Sequence, residues 1–308
     1  MPDTPRKKRN DPLTGALWML VSCALIAAVA TLGRYVTTEG VPPMQVVFLR
    51  LFFALVTMAP LLLWRGSDLV RTDQIGTYGI RVAIGLCAMS TWFIALSMVP
   101  VGDVTAISFL SPLFATVFAV FLLGEVVRIR RWMATLVGFC GALIILRPGL
   151  SEITLGVWIT IFSAVMMGLS TMFIKRLTDG DDPDKVVFIS TALMTPIMLV
   201  PALYVWQWPE PDLWPYLALF GPLATIGHIT LARAFAAAEA SFVMGFDFAR
   251  LPFAVLYGYL LFGEIIDLWT WVGAGIIFVA SLYIARREAY LRRQAREPVP
   301  KSPPADSL

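Results

Sequence analysis

The sequence predicts an all-α, multi-pass membrane protein with ten transmembrane helices, arranged as two inverted five-helix repeats. Three observations predict this fold: an excess of apolar residues, their grouping into runs of spanning length, and a repetition of the chain about 140 residues along. Hydrophobic residues make up 58% of the 308 residues and charged residues only 15%, whereas soluble domains carry roughly 25% charged residues. Because a water-exposed surface is hard to build from so few charges, a lipid bilayer is the expected surrounding.

Ten apolar runs are long enough to cross a membrane, since a spanning helix needs about 20 residues. Tryptophan and tyrosine cluster near the ends of these runs, as expected at a membrane–water interface. The predicted spans are 14–36, 45–64, 78–98, 104–123, 132–146, 155–174, 186–206, 214–236, 241–262 and 269–285. The connections between them are too short for a folded domain outside the membrane.

The orientation follows from the distribution of lysine and arginine. Most of the 24 basic residues lie in the N-terminal tail (1–13), in the connections after the second, fourth, sixth and eighth spans, and in the C-terminal tail (288–308). Cytoplasmic segments carry such an excess of positive charge, so both termini are expected in the cytoplasm. The C-terminal tail is rich in proline, arginine and serine, and it is predicted to be disordered.

The second half of the chain repeats the first. Residues 121–125 superpose on 260–264 at an offset of 139, and at the same offset Trp132 superposes on Trp271. The two repeats are predicted at 14–147 and 155–287. Because five spans is an odd number, the second repeat enters the membrane with the opposite orientation, an arrangement that alternating-access transporters use.

These repeated motifs resemble the EamA family of the drug/metabolite transporter superfamily. Each half has a small-residue turn, an apolar helix with a proline, a Gly-Glu pair and then a tryptophan: Ala95 to Trp132 with Pro112, and Ala234 to Trp271 with Pro252. The resemblance implies a secondary transporter of small organic metabolites in the inner membrane of a bacterial cell. Segments 109–114, 138–141 and 146–149 resemble the branch that contains bacterial riboflavin and S-adenosylmethionine importers. The second repeat departs from the first at Ile277, which replaces the glycine that would match Gly138.

Riboflavin uptake is the expectation that this branch favours, followed by uptake of S-adenosylmethionine or export of amino acids and related metabolites. The rival class is a membrane-embedded enzyme acting on lipid-linked substrates, which would need a cluster of catalytic or metal-binding residues. The chain has one histidine and three cysteines, all three in apolar runs, and it lacks a P-loop. We therefore expect no enzyme activity, no cofactor, no metal and no nucleic-acid partner.

The expected partners are the lipid bilayer and a small-molecule substrate, either a flat metabolite or a cationic or zwitterionic one. A homodimer is a further possibility, since glycine-rich helices permit close contact either within the fold or between protomers. The glycines concerned are Gly138, Gly141, Gly273 and Gly275.

Asp247 and Arg250 are the leading substrate-binding candidates, because ionisable groups inside a span are costly and need a reason. They are three residues apart, hence on one helical face, and their repeat mates are Ser108 and Ser111. Both pairs are expected to face one cavity. Asp247 could bind a substrate amine or hydroxyl or carry a proton, and Arg250 could bind an anionic or carbonyl group. The alternative is an internal salt bridge that only neutralises both charges.

Arg50 could bind substrate or neutralise Asp247 or Asp103, and His228 could relay protons or bond to a neighbouring helix. Arg81 is expected to extend from a helix end to the membrane surface. Trp92 and Phe109 could stack on a flat cargo or only pack helices. The family resemblance and the polar pairs together imply a cavity lined by the first, third, fourth, sixth, eighth and ninth spans.

Overall fold

The computed structural model describes residues 11–98, 104, 107–108, 110–124, 129–146 and 154–262, with scattered positions between 268 and 283. Every regular element in these stretches is helical. The helices are α1 (Pro12–Thr38), α2 (Pro43–Arg65), α3 (Ile75–Met98), α4 (Leu110–Leu123), α5 (Ile129–Leu146), α6 (Leu155–Leu177), α7 (Pro183–Tyr204), α8 (Trp214–Ala237), α9 (Ala240–Met244) and α10 (Arg250–Phe262). Short 3-10 turns occur at Gly66–Leu69, Pro211–Leu213 and Asp247–Ala249.

Six helices in the described part of the chain are long and apolar enough to cross a membrane: α1, α2, α3, α6, α7 and α8. The predicted spans 104–123 and 132–146 correspond to α4 and α5, which are shorter than these six helices. One prediction is wrong: 241–262 is not a single helix, because the 3-10 turn Asp247–Ala249 separates α9 from α10. The predicted span 269–285 falls outside the continuously described residues, so the count of ten spans stays a prediction.

Prolines and caps determine where several helices begin. Pro12, Pro43 and Pro183 occupy the first turns of α1, α2 and α7, where the missing proline N–H has no intrahelical partner to lose. Asp11 caps α1, since its carboxylate accepts a hydrogen bond from the Thr14 backbone N–H and a second one from the Thr14 hydroxyl at 2.9 Å. Gly66 ends α2 with φ of 58°, a backbone angle that residues with a side chain rarely adopt.

The two halves of the chain pack against each other in matched pairs. α1 packs along α8 and α6 packs along α3, while α1 also contacts α10 and α6 contacts α4. Two buried hydrogen bonds repeat this exchange: the Ser22 hydroxyl donates to the Gly227 carbonyl at 2.9 Å, and the Ser163 hydroxyl donates to the Ala88 carbonyl at 2.8 Å. The second pair corresponds to the first at offsets of 141 and 139, so a pseudo-two-fold axis relates the halves.

The helices meet at two ends of different chemistry. At what we call the charged end, Asp184 at the start of α7 bonds Arg233 near the end of α8 at 3.0 Å and lies 3.5 Å from Arg65 at the end of α2. Lys175, near the end of α6, donates to the Phe235 and Ala238 carbonyls there. Because α2 ends where its repeat mate α7 begins, these two helices run in opposite directions.

At what we call the aromatic end, a ring contact and a pair of amide hydrogen bonds join the halves. Tyr35 near the end of α1 packs on Tyr216 near the start of α8, with ring centroids 5.0 Å apart. Gln45 in α2 is fully buried and exchanges two hydrogen bonds with the Gln207 backbone beyond α7, at 2.6 and 2.9 Å. An ion pair therefore joins the halves at the charged end, and a ring contact and amide hydrogen bonds join them at the aromatic end.

Candidate functional site

A cavity of about 200 Å³ lies between the two halves. It is lined by side chains from α1, α3, α4, α6, α8, α9 and α10, as the sequence led us to expect for the corresponding spans, but also by α2 and α7. The expected lining set was therefore incomplete. The omission has a physical reason: α2 and α7 are repeat mates that contact each other directly, which brings one face of each to the centre of the molecule.

Asp247 and Arg250 both line this cavity and are bonded to each other. The Arg250 guanidinium donates to the Asp247 carboxylate at 2.6 Å, and the Asp247 residue is 7% exposed. The turn Asp247–Ala249 positions the pair, since it breaks the helical path just before α10. The internal salt bridge exists, and the same two side chains face the space in which a substrate could bind.

The predicted serine mates separate in the structure. Ser111 in α4 is buried and lines the cavity, whereas Ser108 is buried without lining it. The expectation that both serines face the cavity is thus wrong for Ser108. Ser111 is held close to α6, because Gly168 has no Cβ and its backbone approaches the Ser111 carbonyl. Phe109 lies outside the described residues.

Arg50 and His228 form a second polar group in the cavity. Arg50 Nη2 lies 2.6 Å from His228 Nε2, and Arg50 Nη1 donates to the Met89 sulfur at 3.0 Å. An arginine has only donors, so His228 Nε2 must accept and the imidazole is neutral. The proposed pairing of Arg50 with Asp247 is not found, since Arg250 bonds that carboxylate; Asp103 lies outside the described residues.

Arg81 does not reach the membrane surface, contrary to the expectation from its position near a helix end. Its residue is only 9% exposed, and it lines the cavity. The reason is Gly85, one turn further along α3, where a Cβ would overlap the Arg81 guanidinium. The guanidinium therefore lies across Gly85, folded inward along its own helix.

The charges that line the cavity do not balance. Among the residues that the structure describes, its charged side chains are the arginines 50, 81 and 250 and the aspartate 247. Among the described residues the aspartate is bonded to Arg250, and neither Arg50 nor Arg81 has a carboxylate partner. Two buried positive charges thus have no carboxylate partner in the described part of the chain, in a place where an unpaired charge is expensive.

Aromatic rings and small polar side chains complete the lining. Trp92 and Phe93 pack edge to face, with ring centroids 5.1 Å apart, on the α3 side. Sequence reasoning missed Ser190 and Thr191 in α7, which also line the cavity. The repeat could have found them, since Ser190 is the mate of Arg50 at an offset of 140.

The glycines considered for a dimer have a partial explanation inside the chain. A Cβ on Gly138 in α5 would lie 2.8 Å from the Phe248 ring, so this glycine permits close packing of α5 on the turn before α10. Gly275 has nothing within 4 Å of such a Cβ. The homodimer stays a prediction.

Comparisons with known proteins agree on the class of protein. The profile of the "EamA-like transporter family" matches residues 13–147 and again 154–286. The chain is 34% identical to a riboflavin transporter of Vibrio cholerae over 94% of this chain and 98% of that one. It is 28% identical to an S-adenosylmethionine uptake transporter of Rickettsia bellii, over 91% of this chain and 97% of the other. A protein of known crystal structure superposes with a TM-score of 0.74 at 17% identity, over 92% of this chain and 99% of that one.

Proposed function

Because the chain belongs to the EamA-like transporter family, an integral membrane family, we propose that it imports riboflavin across the bacterial inner membrane by alternating access. Two relatives that share 34% and 31% of their residues with it are riboflavin transporters. The observation that carries the choice of cargo is the positive charge of Arg50 and Arg81, which no carboxylate among the described residues compensates. The names of relatives alone would not distinguish riboflavin from S-adenosylmethionine as the cargo.

The charge of the cavity separates the two candidate cargoes. S-adenosylmethionine carries a sulfonium and an ammonium against one carboxylate, so it would add positive charge beside Arg50 and Arg81. Like charges in a desolvated site repel strongly. Riboflavin is neutral, and its ring system carries two carbonyl oxygens on one edge, which accept hydrogen bonds from guanidinium groups. The net charge therefore favours riboflavin.

The aromatic and polar sides of the cavity suit the two parts of riboflavin. Trp92 and Phe93 offer faces and edges for packing against its flat ring system. We assign the Asp247–Arg250 pair and Ser111 to the hydroxyl groups of the ribityl chain, since a carboxylate and a serine oxygen can both accept hydrogen bonds. Arg50 and His228 then flank the ring.

Alternating access is supported by the symmetry of the fold and the size of the cavity. Repeat mates such as α2 and α7 run in opposite directions, so exchanging the conformations of the halves would reverse the side on which the cavity opens. Its volume of about 200 Å³ is smaller than the roughly 300–1,000 Å³ of typical ligand pockets. Entry of a three-ring cargo therefore requires the helices to separate at one end.

We further propose that ten helices span the membrane and that both termini are cytoplasmic. Five basic residues lie near the charged end: Arg65, Arg71, Lys175, Lys185 and Arg233. The positive-inside rule assigns such an end to the cytoplasm, and α1 begins there, since the Asp11 N–H donates to the Ala237 carbonyl at the end of α8.

Uptake by bacterial cells that neither make nor import riboflavin tests the proposal. Cells expressing the protein should accumulate labelled riboflavin and grow on low external riboflavin, whereas labelled S-adenosylmethionine should not accumulate. Asp247→Asn should lower riboflavin uptake at unchanged membrane levels. Asp212→Asn, at an exposed carboxylate near the aromatic end, is the matched control and should retain uptake.

Two outcomes would overturn the choice of cargo. One is uptake of S-adenosylmethionine without riboflavin. The other is uptake of neither compound together with active export of amino acids or related metabolites. That result would agree with membership of the family and would reverse the proposed direction of transport.

A further inference from the structure

Arg81 is a buried cation whose hydrogen-bonding capacity is unused in the part of the chain that the structure describes. Its Nε and Nη1 atoms are buried without a hydrogen-bond partner, although the side chain lines the cavity. Burying donors without acceptors costs free energy, and burying an unpaired charge costs more. Such a group is unfavourable for the empty protein, and a ligand that supplies acceptors would relieve the cost.

Two neighbours hold the Arg81 guanidinium where it is. Gly85 lies beneath it, and a Cβ there would overlap both Arg81 Nη1 and the terminal methyl of Met194 from α7. Long side chains at this depth ordinarily turn outward to water. The absence of a side chain at Gly85 opens the inward path, so Gly85 is a positioning residue for Arg81.

Further unsatisfied donors belong to the same cavity. Trp92 Nε1 and the Ser190 hydroxyl are buried without a partner among the described residues, and so is Arg50 Nε. All three side chains line the cavity together with Arg81. This set of donors fits a planar ring whose edge presents several acceptors. A guanidinium group can form two parallel hydrogen bonds to such an edge, one to a carbonyl oxygen and one to the acceptor nitrogen beside it.

We propose that Arg81, positioned by Gly85, is the residue that selects the cargo by binding the carbonyl edge of its ring, with Trp92 Nε1 and Ser190 as additional donors. This inference rests on the proposed riboflavin transport and names the contact that decides specificity. It predicts that neutral or anionic rings with a carbonyl oxygen beside an acceptor ring nitrogen are accepted and that cationic cargo is rejected.

A binding measurement tests the assignment. Riboflavin is added to the purified protein in detergent, and its binding is measured by the quenching of flavin fluorescence. Arg81→Ala should raise Kd by about 10- to 100-fold, as expected for losing a hydrogen bond from a charged group. Arg81→Lys keeps the charge without the planar fork and should give a smaller increase. Gly85→Ala should raise Kd by about three- to tenfold, because it displaces the guanidinium without removing it.

Two control variants and a spectrum separate binding from structural damage. Gly79→Ala lies in the same helix, where an added Cβ meets open space, and Arg71→Ala removes an exposed arginine before α3; both should bind riboflavin like the unchanged protein. The absorption spectrum of bound flavin should shift when the Arg81 contact to its carbonyl groups is lost, which a merely structural role would not produce. Equal affinity of Arg81→Ala and the unchanged protein would overturn the assignment alone. A lack of riboflavin binding by the unchanged protein would overturn the proposed function itself.

Discussion

The cavity contains two cationic regions that differ in how their charge is compensated. Arg250 is bonded to Asp247 at 2.6 Å, whereas Arg50 is bonded to a neutral histidine and Arg81 to no described residue. The first region is a closed pair that stabilises the turn before α10. The second keeps its charge available. The difference teaches that a buried charge can be neutralised inside the protein and still line the cavity, whereas a ligand can relieve the cost of burial only for the arginines that lack a carboxylate partner.

Breaking the closed pair should have the largest effect on stability. Asp247→Ala leaves Arg250 inside the protein without its carboxylate, and removing one partner of a buried ion pair costs about 3–5 kcal/mol. The thermal unfolding midpoint in detergent should fall accordingly. The double variant Asp247→Leu, Arg250→Met removes both charges and should be clearly more stable than Asp247→Ala. Equal loss in both variants would contradict the view that the unpaired charge causes the damage.

Removing charge from the uncompensated region should affect transport far more than stability. Arg50→Met keeps the length of the side chain and abolishes its charge. The relief of an unpaired buried charge then offsets the lost hydrogen bond to His228, so the free energy of unfolding should change by less than about 1 kcal/mol. Riboflavin uptake should fall by about tenfold or more. A large loss of stability with normal uptake per folded molecule would show that Arg50 stabilises the fold and does not bind the substrate.

A smaller effect on stability than that of breaking the Asp247–Arg250 pair is expected at His228, whose role is to accept one hydrogen bond from Arg50. His228→Gln preserves an acceptor oxygen, whereas His228→Leu leaves the guanidinium with one partner fewer. The leucine variant should be less stable than the glutamine variant by about 1–2 kcal/mol, the cost of an unmet hydrogen bond to a charged group. Thermal unfolding of the two variants measures the difference. If they are equally stable, the contact between Arg50 Nη2 and His228 Nε2 does not contribute.

Sequence reasoning located some site residues and misjudged others for an identifiable reason. Asp247 and Arg250 were found because their spacing places them on one helical face and because charges in apolar runs are conspicuous. Arg81 was misjudged, since its depth along α3 suggested an outward path and only the packing around Gly85 shows the inward one. Ser190 was missed because a single serine in an apolar helix does not indicate a site. Its position becomes informative only through the repeat, in which Ser190 corresponds to Arg50.

The sequence by itself determined that the chain is an all-helical membrane protein of two related halves. Apolar content, the length of the apolar runs and their repetition can be read from the order of residues, and an apolar run of spanning length must form a helix in lipid to satisfy its backbone hydrogen bonds. It also supplied the family. Only the tertiary structure decided which arginine is paired and which is available. That choice depends on side-chain direction and on space between helices from opposite halves, such as the gap over Gly85, and neither is encoded in the spacing of residues along one helix.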